Sequence, residues 1–351
     1  MTDDPTVWSA VVGQTTAVES LRSSAAAPVH AYLFVGPPGS TKDEASRAFA
    51  AALLTGGDDP NSRDARLILA GEHPDVREVM RVGPAISAEQ AAEIVRQAAL
   101  APVEGVRKVL ILHEFHLLNG AGAGRLLKTI EEPPASTHFI VLADFVPTDL
   151  VTIASRCVRI EFSPIPESVL AGQLVAEGIE SARAVETAAA AGGSLDRARL
   201  LVVDPDFVER RRAFADVPAA MNGTGATVVA TVAALLGRIE TAAAPLTARH
   251  ETEIAELDAR EGRLGARGSG RAVIEARQKR ELRRHRTDEL RSGLAVMAGT
   301  YRDGLVADTA PHPDSVVAAV RRIHKAIEAL DNNPNETLLL QSLLWSLPPL
   351  S

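Results

Sequence analysis

The stretch that most constrains this chain is Gly36-Pro37-Pro38-Gly39-Ser40-Thr41-Lys42-Asp43. It lies between the apolar run Ala31-Tyr32-Leu33-Phe34-Val35 and a helical pattern over 44–54. Strand, glycine-containing loop and helix in that order are the context of a phosphate-binding P-loop. In such a loop, backbone N–H groups and the helix N-terminus cradle phosphate oxygens, and a lysine meets the outer phosphates. Against G-x-x-x-x-G-K-[ST], Gly36 and Lys42 are kept, while Thr41 stands at the second glycine and Asp43 at the magnesium-binding hydroxyl. A carboxylate at Asp43 repels phosphate unless a metal lies between. Lys42 therefore has two readings: a phosphate ligand, or an ion-pair partner for Asp43 or Glu44.

The surrounding pattern alternates strands and helices. Lys108-Val109-Leu110-Ile111-Leu112 and His138-Phe139-Ile140-Val141-Leu142 are continuous apolar runs, as strands buried on both faces of a parallel sheet must be. Residues 76–80 and 158–162 read as further strands. Helices are expected over 15–24, 62–70, 87–100 (with Ser87 as N-cap), 120–130 and 150–154. Residues 1–162 are thus expected to form a doubly wound α/β domain with a parallel sheet. Ser163-Pro164-Ile165-Pro166 marks a boundary. Helices over 167–177, 181–190 and 195–201 suit a small all-α domain, 163–207. Residues 208–351 read as long helices without strands, a second all-α domain.

Within it, a charged helical hairpin near 245–292 is divided by Gly265-Ala266-Arg267-Gly268-Ser269-Gly270, and Arg280, Arg283, Arg284 and Arg286 lie close together. A solvated face is the reading of that charge run; contact with DNA or a partner is the alternative.

Bulk properties set limits. A formal net charge of −8 gives no global reason to expect nucleic-acid binding, leaving only local basic patches. A single cysteine, Cys157, excludes an internal disulfide and a cysteine-based zinc site, and reads as a small buried hydrophobe. No apolar run approaches the ~18 residues of a membrane span. A cytoplasmic protein without membrane contact is expected.

A working P-loop ATPase needs a second strand ending in acidic residues that hold magnesium and polarise water. Here that strand runs into Leu112-His113-Glu114-Phe115-His116: Glu114 holds the second acidic position, but His113 stands at the magnesium-binding one. Neutral imidazole is a poor ligand for magnesium. Two magnesium contacts and a loop glycine are missing together, which argues against hydrolysis. Gly36, Gly39, Lys42 and Glu114 remain as a vestigial nucleotide site, with no resident metal.

His30-Ala31-Tyr32-Leu33-Phe34-Val35-Gly36-Pro37, Ala70-Gly71-Glu72-His73-Pro74-Asp75, Leu126-Leu127-Lys128-Thr129-Ile130-Glu131-Glu132-Pro133-Pro134 and Ser155-Arg156-Cys157 follow in that order. At these spacings the chain resembles the AAA+ clamp-loader subunits of bacterial DNA polymerase III, sharply over 9–162 and weakly beyond 207. The resemblance implies an AAA+ P-loop domain, a lid and a C-terminal collar that joins subunits in a pentameric ring. It implies gamma/tau and delta subunits as partners, with the sliding clamp and primed DNA reached indirectly. It also implies that Arg156 acts as an arginine finger, reaching ATP and magnesium bound by a neighbouring subunit, while this chain closes one end of the ring. A guanidinium suits that task, being always charged and able to meet phosphate bidentately. Without that context, Arg156 reads as a surface arginine before a strand.

The sequence departs from the family in three places. Residues 55–71 lack the cysteines of the family's zinc module, so no zinc is expected. Asp196 stands where a nucleotide-sensing arginine belongs, with Arg197 one place on. Ala143-Asp144 replaces a polar Thr or Asn pair. The resemblance thus implies a subunit of the polymerase III holoenzyme without ATPase or polymerase activity of its own. Its alternatives are an active gamma/tau-like ATPase and a scaffold paralogue. Lys128 and Arg280–Arg286 stand as candidate DNA contacts.

Overall fold

The structure, a computed structural model, describes residues 5–81, 85–118, 120–264, 271–306 and 313–350. Its contacts divide the chain into two units, Met1–Val202 and Val203–Ser351.

The first unit runs α1 (Thr15–Ala26), β1 (Ala31–Val35), α2 (Lys42–Thr55), α3 (Arg63–Leu69), β2 (Val76–Val79), α4 (Ala88–Ala99), β3 (Lys108–Leu112), α5 (Gly120–Glu131), β4 (Thr137–Ala143), α6 (Val151–Ala154) and β5 (Val158–Glu161). The strands form one parallel sheet in the order β2-β3-β4-β1-β5. Alternate residues of each strand feed opposite layers, as the pleat requires. Tyr32, Phe34, Val109, Ile111, Ile140 and Leu142 pack under α1, α2 and α3. Leu33, Val35, Leu110, Leu112, Phe139 and Val141 pack under α4, α5 and α6. This is the α/β class expected, and the strands differ from expectation by a residue or two at their ends. Ser62 and Ser87 cap α3 and α4 by accepting the N–H groups of Ala65 and Gln90.

Helices α7 (Glu167–Ala176), α8 (Ser181–Ala190) and α9 (Leu195–Val203) follow. They gather Leu170, Leu174, Ala184, Ala188, Leu195 and Ala198 around Val12 and Ile165. The division between units falls near the end of α9, a few residues before the boundary at 207 expected from the sequence.

The second unit comprises α10 (Phe207–Ala215), α11 (Val217–Ala220), α12 (Gly225–Thr241), α13 (Ala244–Leu264), α14 (Arg271–Val306), α15 (Pro313–Ala329) and α16 (Glu336–Trp345). Its core holds Phe214, Val228, Leu235, Leu294, Tyr301, Ile323 and Leu344. Arg210, buried in that unit, is clamped between Asp204 (2.5 Å) and Glu289 (2.6 Å). The glycine-rich divide over 265–270 lies outside the described residues. Contrary to the expectation of no membrane-length stretch, the helical stretch Gly225–Ala259 is long and apolar enough to cross a membrane by length and composition alone. Val228, Val232, Leu235 and Ile239 of that stretch are buried in the core of this unit, which accounts for its apolar character.

Candidate functional site

Parallel strands deliver all their carboxyl ends to one edge of the sheet, and there the loop 36–43 meets the ends of β2, β3 and β4. Gly36 continues the ladder by donating its N–H to the Ala143 carbonyl (3.1 Å); a Cβ there would stand 2.3 Å from the Phe162 carbonyl oxygen. Gly39 has φ +74°, and a Cβ on it would lie 2.0 Å from Ser194 Oγ at the start of α9. Leu195 donates its N–H to the Gly39 carbonyl (3.0 Å). The turn before α9 therefore rests directly on the loop.

Thr41, in the glycine position, still adopts the left-handed conformation, φ 60° and ψ 22°. That costs a β-branched residue about 1–2 kcal/mol. Its hydroxyl offsets the strain by accepting the Val12 N–H (3.2 Å) and facing the Val12 carbonyl (3.3 Å). Gln14 adds a second tie, donating to the Ser40 (3.1 Å) and Ser163 (2.7 Å) carbonyls.

Lys42 does not pair with Asp43 or Glu44, as one sequence reading had it. Its Nζ donates to Asp144 Oδ1 (3.0 Å) and to the Pro37 carbonyl (3.2 Å), with the lysine side chain 6% exposed. The cation that would meet phosphate is folded back onto the loop and neutralised from the end of β4.

Asp43 is joined instead to His113. Asp43 Oδ1 lies 3.0 Å from His113 Nδ1, and His113 Nε2 lies 3.0 Å from Glu78 Oε2. Glu78 in turn accepts from Arg47 Nε (2.6 Å) and Nη2 (3.0 Å). Burial alone would lower the His113 pKa, but the Asp43 and Glu78 carboxylates outweigh it and hold the imidazole at about 9. Burial would likewise raise Glu78; hydrogen bonds from His113 and Arg47 bring it down to about 2. Asp43 lies below the usual carboxylate range, because His113 outweighs its burial. This corrects the reading of His113 as a neutral imidazole. It is a charged imidazolium between two carboxylates, a fixed cation beside the loop. Both ring nitrogens are engaged, so neither is available to a metal.

Glu114, at φ 49°, is held by Arg81 through Nε (2.8 Å) and Nη2 (3.2 Å). Glu44 is raised by burial and by the nearby Asp196 and Asp43 charges, so the mouth of the loop is acidic. Arg197 turns its Nε to the Ala190 carbonyl (3.3 Å) at the end of α8. Sequence reasoning missed Glu78, Arg47 and Arg81. Glu78 could have been suspected as a charge inside the edge strand β2; the arginines give no local signal.

Arg156, at the end of α6, donates from Nη1 to the Thr152 carbonyl (2.7 Å) and sets Nε 3.1 Å from Glu131 Oε2. Nε has no aligned acceptor, so the Glu131 contact is coulombic. Its side chain is 34% exposed. Ser155 bonds the Thr152 carbonyl, and burial pushes the Cys157 thiol up to about 12, which keeps it protonated and inert.

The region without cysteines brings Asp64, His73 and Glu104 within metal-ligating reach of one another. Arg63 already bridges Asp64 (3.0 Å) and Glu104 (2.8 Å). His73 Nδ1 accepts the Asp75 N–H (3.1 Å), so in the neutral ring the proton sits on Nε2, the nitrogen 3.8 Å from Asp64. Arg63 thus makes this group an ion-pair surface. Asp75 itself is a structural anchor, its carboxylate accepting the N–H groups of Val103, Glu104 (3.0 Å) and Gly105 (2.7 Å).

Residues 13–166 match the family model described as DNA polymerase III, delta subunit. The DNA polymerase III subunit delta' of Bacillus subtilis is 29% identical over 154 residues, 43% of this chain and 47% of that protein. The delta' subunit of Pseudomonas aeruginosa is 31% identical over 173 residues, 47% of this chain and 52% of that protein. The subunit tau of Bacillus subtilis is 34% identical over 151 residues, 41% of this chain and 26% of that protein. The chain spans about half the length of the delta' relatives it matches.

Proposed function

We propose that this chain, whose residues 13–166 match the family model described as DNA polymerase III, delta subunit, is a clamp-loader subunit of the delta-prime type. It turns over no ATP, closes one end of a ring with gamma/tau and delta subunits, and serves cytoplasmic DNA replication. Helices α7–α9 act as its lid and the second unit as its collar. Through Arg156 it lends a guanidinium to the ATP and magnesium held by a neighbour, while the clamp and primed DNA are handled by the assembled ring.

The observation that carries this reading is the internal use of every group the loop would need. Lys42 is neutralised by Asp144, Asp43 by His113, and Glu114 by Arg81. A nucleotide would have to break the Lys42 pair and bring its phosphates among Asp43, Glu44 and Asp196. An active gamma/tau-like reading requires a hydroxyl at 43 and a carboxylate at 113, and neither is present. Arg156, by contrast, is held by a surface carboxylate, a backbone carbonyl and, at 3.5 Å, the Ser155 hydroxyl, exposed contacts worth about 1 kcal/mol in water. It is free to exchange them for a phosphate across an interface.

Two measurements test the reading. Calorimetry of ATP into the full chain, with and without magnesium, is expected to give no binding heat. In the reconstituted complex, Arg156→Ala is expected to depress DNA-stimulated ATPase by about 10³-fold or more, the range of an arginine finger. Unchanged turnover would remove the finger from the account.

A further inference from the structure

The hairpin α13–α14 puts polar groups where two packed helices ordinarily put apolar ones. Over 247–259 and 271–284, the buried places among the described residues go to His250 and Gln278. His250 meets Glu281 (2.7 Å), and Gln278 donates to Glu253 (2.9 Å) and to the His250 carbonyl (3.2 Å). Ile254, Leu257, Ile274 and Leu282 stay only half-buried. Two helices by themselves have no further layer to cover such residues.

A groove of about 470 Å³ runs along one side of the hairpin, with Ile254, Ala255 and Leu282 on its apolar lining. It follows α13 from Thr247 to Asp258, about 16 Å at the helical rise. Its rim carries both signs of charge. Asp258 and Glu275 are already held by Arg271, each at 2.9 Å. Glu251 on α13 and Lys279 on α14 are exposed, and neither has an ion pair or hydrogen bond among the described residues. The Glu253–Arg277 bond sets the antiparallel register, which places Glu251 level with Lys279 across the groove. Asp258–Arg271 and Arg249–Glu281 keep the same register.

We propose that this groove closes on the same groove of a second copy of the chain, as a four-helix bundle about a two-fold axis parallel to the hairpin. Such an axis preserves helix direction, so α13 of each copy runs antiparallel to α14 of the other, as it does to its own. It also exchanges the two sides of the groove. Glu251 of each copy then faces Lys279 of the other, which gives two opposite-charge pairs over an apolar centre. A two-fold axis across the hairpin would instead stack α14 on α14 and bring the two Lys279 side chains together. Ile254 and Leu282 of both copies come to lie inside the bundle, where four packed helices keep their apolar residues. The proposal uses the hairpin alone and stands apart from the reading of the nucleotide loop and of Arg156.

Analytical ultracentrifugation of the full chain over a micromolar concentration series tests it. The unmodified chain is expected to show a reversible monomer–dimer equilibrium. Glu251→Lys and Lys279→Glu each act twice about the axis, and each is expected to weaken dimerisation at least about tenfold. The double variant, Glu251→Lys with Lys279→Glu, exchanges the signs of both pairs and is expected to return to within about threefold of the unmodified chain. Glu256→Lys makes the same charge change on α13 at an exposed position off the groove, and is expected to change dimerisation less than about twofold. All of these positions are exposed, so circular dichroism is expected to be unchanged. A monomer at every concentration, single reversals without effect, or a double variant no better than the singles overturns the proposal. So does a monomeric chain in which Glu251→Lys weakens assembly with gamma/tau and delta subunits, since that gives the groove to a helix of another protein. No ATPase enters, so the outcome is separate from that of the Arg156 experiment.

Discussion

His113 Nδ1 lies 3.0 Å from Asp43 Oδ1, which ties the end of β3 to the first turn of α2 across the degenerate loop. With Glu78 on the other ring nitrogen, the imidazolium fixes β2, β3 and α2 to one another. The pKa of His113, raised from 6.5 to about 9, sets the sign of its pH dependence. Its stabilisation is present in full below pH 6.5, declines as pH rises, and is lost above about 9. Urea unfolding of the full chain and of His113→Asn, followed at Trp8 in a Trp345→Phe background, is expected to show a gap near pH 6. That gap should close toward pH 9.5. A gap independent of pH refutes the charged imidazole. Glu78, lowered from 4.5 to about 2, gives the opposite limb: its contribution is present above 4.5 and lost as pH falls through 2.

Lys42 and Asp144 respond unequally to removal. Asp144→Ala leaves an ammonium whose side chain is 6% exposed without its carboxylate, which costs about 3 kcal/mol. Lys42→Met keeps the volume and removes the charge, and is expected to cost less than half as much. In the assembled complex Lys42→Met leaves ATPase unchanged; a large loss there would mean that the loop binds nucleotide.

Gly39 and Ser194 form a coupled pair. Gly39→Ala meets both a left-handed backbone and Ser194 Oγ at 2.0 Å, and is expected to destabilise the first unit by more than about 2 kcal/mol. Ser194→Gly alone costs under about 1 kcal/mol, and the double variant recovers part of the loss. Purely additive effects would show that Ser194 does not press on the loop. The comparison is read at Trp8, the tryptophan of the first unit.

Arg210 tests the second unit by itself. Arg210→Ala strands the buried Asp204 and Glu289 carboxylates and is expected to cost about 3–5 kcal/mol, whereas removing all three charges together with apolar replacements costs far less. Trp345, the tryptophan of that unit, reports its unfolding in a Trp8→Phe background.

The sheet, the helices around it and the order of the elements were legible because period and punctuation are local. Continuous apolar runs at 108–112 and 138–142 and the cap at Ser87 each act within a few residues. The loss of the second loop glycine and of both magnesium contacts was equally visible, since each is a residue type at a fixed offset. The charged hairpin gave its composition, but not that Arg271 and Arg277 of α14 pair with Asp258 and Glu253 of α13.

What the sequence by itself determined is therefore the strand–loop–helix at 36–43, its missing groups, and Arg156 in its Ser-Arg-Cys setting. Tertiary structure alone decided where the remaining charges went. Lys42 found Asp144 across 102 residues, His113 found Glu78 across 35, and Glu114 found Arg81 across 33. These pairs meet because the order β2-β3-β4-β1 brings the carboxyl ends of distant strands side by side. Buried charges so placed must be compensated within reach, and no local pattern records which partner the crossover will supply.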